Sequence, residues 1–331
     1  MAEATLPAAT AADPRNRVAA VLSRHGALVA LLLLIVFNLL FTPNFASLQT
    51  INVNLTQVCT IVIVGVGMTL VIATGGIDLS VGSLMAIAGA LAPMLFLGTI
   101  VELPWAVGIA AAFVLPVIVA GLFGLFNGWL ITRFRIKPII ATLVLFIAGR
   151  GIAQVSTNGN LQVFVEPAFQ YTALGKIFGI PFQVYLMAVI VAAAAWMLNR
   201  TVFGRQILAI GGNEAAARLA GIPVARVVRL VYMIAGLCAG VAGLIVVAIN
   251  SASDANLVGL GMELDAIAAV VVGGTLLTGG RATIIGTLVG ALIIQLVRYT
   301  LLANGVPDPA ALIVKAALIV VAVWLQRQSR A

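Results

Sequence analysis

Ten long apolar runs dominate the chain, separated by short polar or glycine-rich breaks, at approximately 27–41, 51–73, 81–100, 104–131, 138–156, 182–199, 229–250, 263–278, 283–303 and 309–326. A helix needs roughly 20 apolar residues to cross the hydrocarbon of a bilayer, and most runs approach that length. Inside them the apolar residues are continuous and rich in Ala, Leu, Val and Ile. A membrane β-barrel would instead alternate lipid-facing and lumen-facing positions over segments of about 10 residues. The pattern predicts an all-α polytopic membrane protein with about ten transmembrane helices.

Composition agrees. Of the 331 residues 63% are hydrophobic and only 8% charged, and mean hydropathy is +1.19; a soluble domain carries about 25% charged residues. The net charge of +8 would suit nucleic acid if it were clustered. It is scattered between apolar runs instead, which excludes that partner and fits the positive-inside bias. With the N-terminus inside, the inside segments hold Arg133, Arg135 and Lys137, then Arg200, Arg205, Arg218, Arg226 and Arg229, then Arg281, then Arg327 and Arg330. The outside segments hold Glu102, Glu166 with Lys176, Asp254 and Asp308, so Lys176 is their sole basic residue. Both termini are therefore expected in the cytoplasm. Residues 1–25 read as a disordered basic cytoplasmic tail, and 26–327 as one transmembrane domain with a long inside loop, 200–229. The run 27–41 is short enough to mimic a signal-peptide core, but Pro43-Asn44-Phe45 is a poor cleavage site, and the run reads as the first span.

Several chemistries are missing from the sequence. Cys59 and Cys238 lie singly in apolar runs and His25 is the lone histidine, so no His/Cys metal site and no nucleophile–His–acid set is expected. A phosphate-binding loop needs Lys followed by Ser or Thr; Lys137, Lys176 and Lys315 precede Pro, Ile and Ala. The chain is expected to be no enzyme, with neither a nucleotide engine nor a cofactor of its own. The sequon Asn54-Leu55-Thr56 falls where a span begins and reads as chance.

A repeat is visible at an offset of 204: Thr74-Gly75-Gly76, five residues, Gly82-Ser83-Leu84 recurs as Thr278-Gly279-Gly280, five residues, Gly286-Thr287-Leu288. An internal direct repeat is a recurrent transporter architecture. Small residues four apart, Gly124/Gly128, Gly236/Gly240 and Gly286/Gly290, suit close helix packing. In the inside loop Asn213 is a good N-cap and Glu214 suits a helix start, while Gly221 and Pro223 end the helix. Such a short helix is shaped to dock on a partner, though the pattern also fits a solvated loop.

Ionisable and amide groups at membrane depth are costly and so are pathway candidates. Arg150 and Gln154 share a helical face, as do Gln295 and Arg298, and Asn54 and Gln57 share a stripe. Asp78 and Ser80 sit in the glycine-rich break, and Glu263 and Asp265 near the start of the eighth run. Neutral amides suit hydroxylated solutes, which favours Asn54, Gln57, Gln154 and Asn250 as lining residues. Hydrogen bonding between helices explains each of them equally. Asp78 reads as a cap at the broken helix, and Trp105, Trp129, Trp196 and Trp324 as interface anchors.

Three stretches, Gly67 to Ala90, the loop around Asn213, and Glu263 to Gly280, strongly resemble permease subunits of bacterial ribose-type ABC sugar importers. The resemblance covers nearly all of 27–326 and is weakest in 157–181. Ile139 to Gln154 and Ser253 to Asp265 look most like galactofuranose importer permeases. The resemblance implies a permease domain of the inner (plasma) membrane working as a pair, with a second copy or a sister permease. It also implies a cytoplasmic ATPase with two nucleotide-binding domains, carrying the ATP and Mg, and a periplasmic sugar-binding protein. It assigns ATPase coupling to Gly212, Asn213, Glu214, Arg218 and Gly221. The broader importer motif is only partly met: Ala220 stands where a glycine is usual, and no Ile-x-Leu-Pro follows. The expectation is a subunit that moves a monosaccharide, such as a furanose or pentose. The path residues would be Asn54, Gln57, Asp78, Ser80, Gln154 and Asn250. The competing readings are a proton-coupled secondary transporter using Asp78, Glu263 or Asp265, a substrate-binding channel without an energy source, and an ABC permease for another small polar solute.

Overall fold

The computed structural model describes residues 14–307, 309–317 and 320. In chain order its helices are α1 (Pro14–Phe41), α2 (Leu48–Ala73), α3 (Val81–Phe96), α4 (Trp105–Phe134), α5 (Pro138–Ser156), α6 (Pro167–Leu174), α7 (Phe182–Arg200), α8 (Val202–Gly212), α9 (Glu214–Leu219), α10 (Val224–Asn250), α11 (Met262–Val272) and α12 (Ile284–Ala303). Residues 309–317 are helical as well. The described residues contain no closed sheet, only two antiparallel ladders of two residues per strand. The chain is an all-α membrane protein.

Six helices, α2, α4, α5, α7, α10 and α12, are long and apolar enough to cross a membrane, and α3 and the apolar part of α1, Gly26–Phe41, are shorter. One apolar run departs from expectation. The eighth, 263–278, reads as a full span, yet α11 stops at Val272 and the chain turns through Gly273 and Gly274, the latter at φ +88°. At 1.5 Å per residue α11 is about 16 Å long, half the thickness of the hydrocarbon. The signal in the sequence is the pair Gly273-Gly274, followed by Thr275 and Thr278, inside a run otherwise read as one span. The run 309–326 lies partly outside the described residues. At the other end, α1 begins at Pro14, inside the stretch 1–25 expected to be disordered, and residues 1–13 lie outside the described residues.

α2 forms the centre of the fold. Every residue from Val58 to Ala73 is buried, under α7, α10, α11 and α12. Lipid tails are as apolar as leucine, so helices here are held by close approach rather than by expulsion of water. The glycine pairs supply that approach. A Cβ at Gly124 of α4 would lie 2.2 Å from the Tyr232 carbonyl oxygen of α10, and one at Gly236 would lie 2.3 Å from the Ala120 carbonyl oxygen. On the other side of α2, a Cβ at Gly290 of α12 would lie 2.0 Å from the Ala269 carbonyl oxygen of α11.

The half-length α11 is reached by a descending segment, 251–261. Ser251 turns the chain at φ 52°, residues 252–253 pair with 162–163, and the segment then reaches α3, where a Cβ at Gly82 would lie 2.3 Å from the Gly259 carbonyl oxygen. Irregular backbone at membrane depth needs protein partners for its polar groups. Arg150 supplies two, its Nη1 donating to the carbonyls of Ala255 (2.8 Å) and Val258 (2.6 Å). Gln154 donates to the Asn256 side-chain oxygen at 2.7 Å.

α11 is also tied to the last helical stretch by an ion pair between Asp265 and Lys315, whose side chains are 14% and 15% exposed. Removing one partner of a poorly hydrated pair strands the other charge and costs about 3–5 kcal/mol. Lys315→Met should therefore lower the unfolding midpoint of the detergent-purified protein by several degrees. Asp265→Leu combined with Lys315→Met should recover most of that loss, measured by differential scanning fluorimetry.

Candidate functional site

The repeat marks the place where the two halves of the molecule touch. Helix α2 ends in the turn Thr74-Gly75-Gly76 before α3, and α11 is followed by the turn containing Thr278-Gly279-Gly280 before α12. Equivalent glycines adopt the same left-handed backbone, Gly75 at φ +84° and Gly279 at φ +81°, a region open to glycine without steric cost. The turns meet directly: the Gly280 N–H donates to the Ala73 carbonyl at 3.0 Å, and a Cβ at Gly279 would lie 2.8 Å from the Gly75 nitrogen. One turn of helix away, the Thr69 and Thr287 hydroxyls are 2.6 Å apart.

The inside loop rests on this junction. Sequence patterning places one short helix near Asn213; the structure holds two. The first, α8, is capped by Thr201, whose hydroxyl accepts from the Gly204 N–H at 3.1 Å. Sequence reasoning missed it because it is short and ends in Gly211-Gly212, a pair that reads as a breaker. Gly211 is there for contact: a Cβ on it would lie 1.9 Å from the Ala73 carbonyl oxygen and 2.4 Å from the Gly280 nitrogen. The second, α9, is as expected. The Asn213 side chain accepts from the Ala216 N–H at 3.0 Å, Glu214 and Arg218 pair at 2.6 Å on the solvent face, and Gly221 turns the chain out at φ +80°. α10 begins at Val224, so the loop expected over 200–229 ends at 223. Leu219, which the sequence did not single out, is 91% exposed at the end of α9, an isolated apolar side chain presented beside the exposed Glu214–Arg218 pair.

The structure does not gather the six candidate path residues into one place. Asn54 and Gln57 converge with Gln295 of α12, whose Nε2 donates to the Gln57 Oε1 at 2.7 Å and reaches the Asn54 Oδ1 at 3.4 Å. Asp78 and Ser80 are fully buried. The Ser80 N–H and hydroxyl both donate to the Asp78 Oδ1, at 2.8 and 2.6 Å, and Asn127 donates to the Ser80 hydroxyl at 2.9 Å. They brace the start of α3. Gln154 holds the descending segment, as described, and Asn250 ends α10 as an exposed residue. Asn127 was the residue of this set that the sequence reading passed over, although a lone amide inside an apolar helix was signal enough.

A family model described as the permease component of the branched-chain amino acid transport system matches residues 50–323. The chain belongs to this permease family. The ribose import permease protein of Escherichia coli K12 is 42% identical over 313 residues, covering 93% of this chain and 95% of that protein. The galactofuranose transporter permease protein of the same organism is 39% identical over 317 residues, 91% and 89% of the two chains. The L-arabinose ABC transporter permease protein of Azospirillum brasilense is 34% identical over 339 residues, 100% and 98%. No solved structure matches. The chain is thus a permease of the sugar ABC importer type, a multi-pass protein of the bacterial inner membrane and a transport component rather than an enzyme.

The junction geometry makes a sharp structural prediction. A Cβ on Gly211 collides with backbone on both turns and cannot be absorbed by a flexible side chain, whereas one on Gly212 meets nothing within 4 Å. Gly211→Ala should lift α8 from the junction and raise the rate of tryptic cleavage at Arg205 and Arg218 at least severalfold in purified protein. Gly212→Ala should digest like the unaltered chain.

Proposed function

We propose that this permease carries a monosaccharide, with a furanose or pentose as the favoured class, inward across the membrane. Alternating access is driven by ATP hydrolysis on a separate ATPase with two nucleotide-binding domains, which holds the ATP and Mg. The sugar is delivered by a periplasmic binding protein, and the permease works as a pair with a second copy or a sister permease. Both termini lie in the cytoplasm, as the Lys/Arg bias indicates. The observation that carries this reading is the seating of α8 on the junction between the repeats, with α9 packed against α8. A partner that pulls on α9 acts, through Gly211, on backbone from both halves of the molecule at once. Gly212 and Gly221 delimit the docking helix, Asn213 caps it, and Glu214, Arg218 and Leu219 face the partner.

The sugar class draws on the relatives of known specificity, which transport ribose, galactofuranose, L-arabinose and fructose by name. Their identities to this chain are too similar to favour galactofuranose over ribose. A proton relay has less support: the Asp265 carboxylate is paired with Lys315 and Asp78 is enclosed with Ser80 and Asn127. Glu263, though one of its carboxylate oxygens has no hydrogen-bond partner among the described residues, is buried and lines neither cavity beside α2.

Leu219→Asp should abolish co-purification of the ATPase and ATP-driven uptake while the chain still inserts in the membrane. Wild-type uptake should survive a protonophore when cellular ATP is clamped. Retention of the ATPase and of uptake by Leu219→Asp, together with Glu214→Arg, would refute the docking role.

A further inference from the structure

Helix α2 changes character at residue 58. Every residue from Val58 to Ala73 is buried, and none from Leu48 to Gln57 is. The uncovered end is not apolar: it carries Gln49, Thr50, Asn52, Asn54, Thr56 and Gln57 within ten residues. A helix of 26 residues is about 39 Å long against a hydrocarbon core of about 30 Å. Counted back from Ala73, about 30 Å of helix reaches residue 54, so Thr56 and Gln57 lie at membrane depth and Asn52 about one turn beyond them, at its outer edge. Amides facing hydrocarbon would forfeit their hydrogen bonds, so this face must meet water or a polar solute.

The structure provides the space. A cavity of about 710 Å³ opens along this face, between the first turns of α2, the segment 173–181 and the end of α10 at Ile249. Gln49, Asn52 and Thr56 stand at i, i+3 and i+7, one face of the helix, and all three line it with Gln57. Among the described residues the side chains of Gln49, Asn52 and Thr56 have no hydrogen-bond partner, in contrast to Asn54, which donates to the Thr50 carbonyl at 3.0 Å. Lys176 is the only charged residue in the lining, and no carboxylate is present among the lining residues.

We infer that this cavity is a transit site for a neutral polyhydroxylated solute of monosaccharide size, read by the unpartnered side chains of Gln49, Asn52 and Thr56. The inference rests on the importer reading above and deepens it. An amide offers donors and an acceptor together, as a hydroxyl does, so each can serve a sugar hydroxyl in either sense. An α-amino acid would bring an ammonium group, for which the lining has no carboxylate. Lys176 can answer an amino acid's carboxylate but nothing in the lining answers its ammonium, so the face favours the neutral sugars of the relatives' names over the amino acids of the family description.

The test uses the full importer in intact cells. Cys59 and Cys238 are buried, so a membrane-impermeant thiol reagent has little background. Asn52→Cys and Thr56→Cys should be labelled from outside, whereas Val114→Cys, on an exposed apolar face of α4, should not. In parallel, uptake of radiolabelled D-ribose, L-arabinose, D-galactose and L-leucine is measured. Asn52→Leu and Thr56→Val should reduce sugar uptake at least tenfold, with ATP hydrolysis stimulated by the binding protein kept within twofold of wild type. Unlabelled cysteines, sugar uptake unchanged in these variants, or transport of leucine and no sugar would each overturn the site. A wild-type complex that moves no sugar breaks the importer reading itself, whereas a transporting wild type with unaffected variants overturns only the site.

Discussion

Backbone-to-backbone contact at glycine is the constraint from which this architecture follows. Inside a bilayer the hydrophobic effect does not distinguish a neighbouring helix from a lipid tail, so helices are held by van der Waals contact and hydrogen bonds. Gly124 and Gly236 on α4 and α10, and Gly290 against α11, each sit where a single methyl group would strike a carbonyl oxygen. The same economy governs the breaks. An interrupted helix leaves N–H and C=O groups that hydrocarbon cannot satisfy, and here one interruption satisfies the other through the Gly280 N–H and the Ala73 carbonyl. The repeat thus supplies the two turns that close against each other, one after the full-length α2 and one after the half-length α11.

What the sequence disclosed, and what it hid, follows from this. Span positions were legible because length and apolarity are local properties, and α2, α4, α5, α7, α10 and α12 stand where the runs lie. The glycine pairs were legible as spacing, but which helix Gly124/Gly128 and Gly236/Gly240 face depends on contacts across more than a hundred residues, whereas Gly286/Gly290 faces the preceding helix, α11. The half-length of α11 was passed over, since Gly273-Gly274 is flanked on both sides by apolar residues and was read through as part of one span. α8 was hidden for the opposite reason: its closing glycines look like a loop, although Gly211 is the residue that fits between the two turns.

The candidate site shows the same division. Asn213 as a cap and Gly221 as a stop were readable from local helix chemistry, and both hold. Asn54 and Gln57 were readable as a polar stripe, but their partner Gln295 lies 238 residues from Gln57. Asp78 read as a cap at the broken helix, and was kept among the path candidates because a carboxylate in a membrane is conspicuous. The structure shows why it is tolerated: Ser80 donates to it twice and the pair braces the first turn of α3. Conspicuous charge marked the scaffold here, while uncharged amides mark the open face.

α2 joins these features into one mechanical element. Its last residue, Ala73, accepts the hydrogen bond from Gly280 and lies against Gly211 of α8; its first turns carry the amide face. Between them, Val58 to Ala73 is buried throughout and packed too densely to bend without disturbing its neighbours. On the proposed docking role of α9, binding there shifts the permease between states only by contacts that differ between those states. The junction is where such a difference reaches both repeats, and α2 is the rod that connects it to the cavity. Coupling over this distance then needs no chain of polar relays: a rigid helix held at its last residue and uncovered at its first turns suffices, provided the glycines at the junction stay glycine.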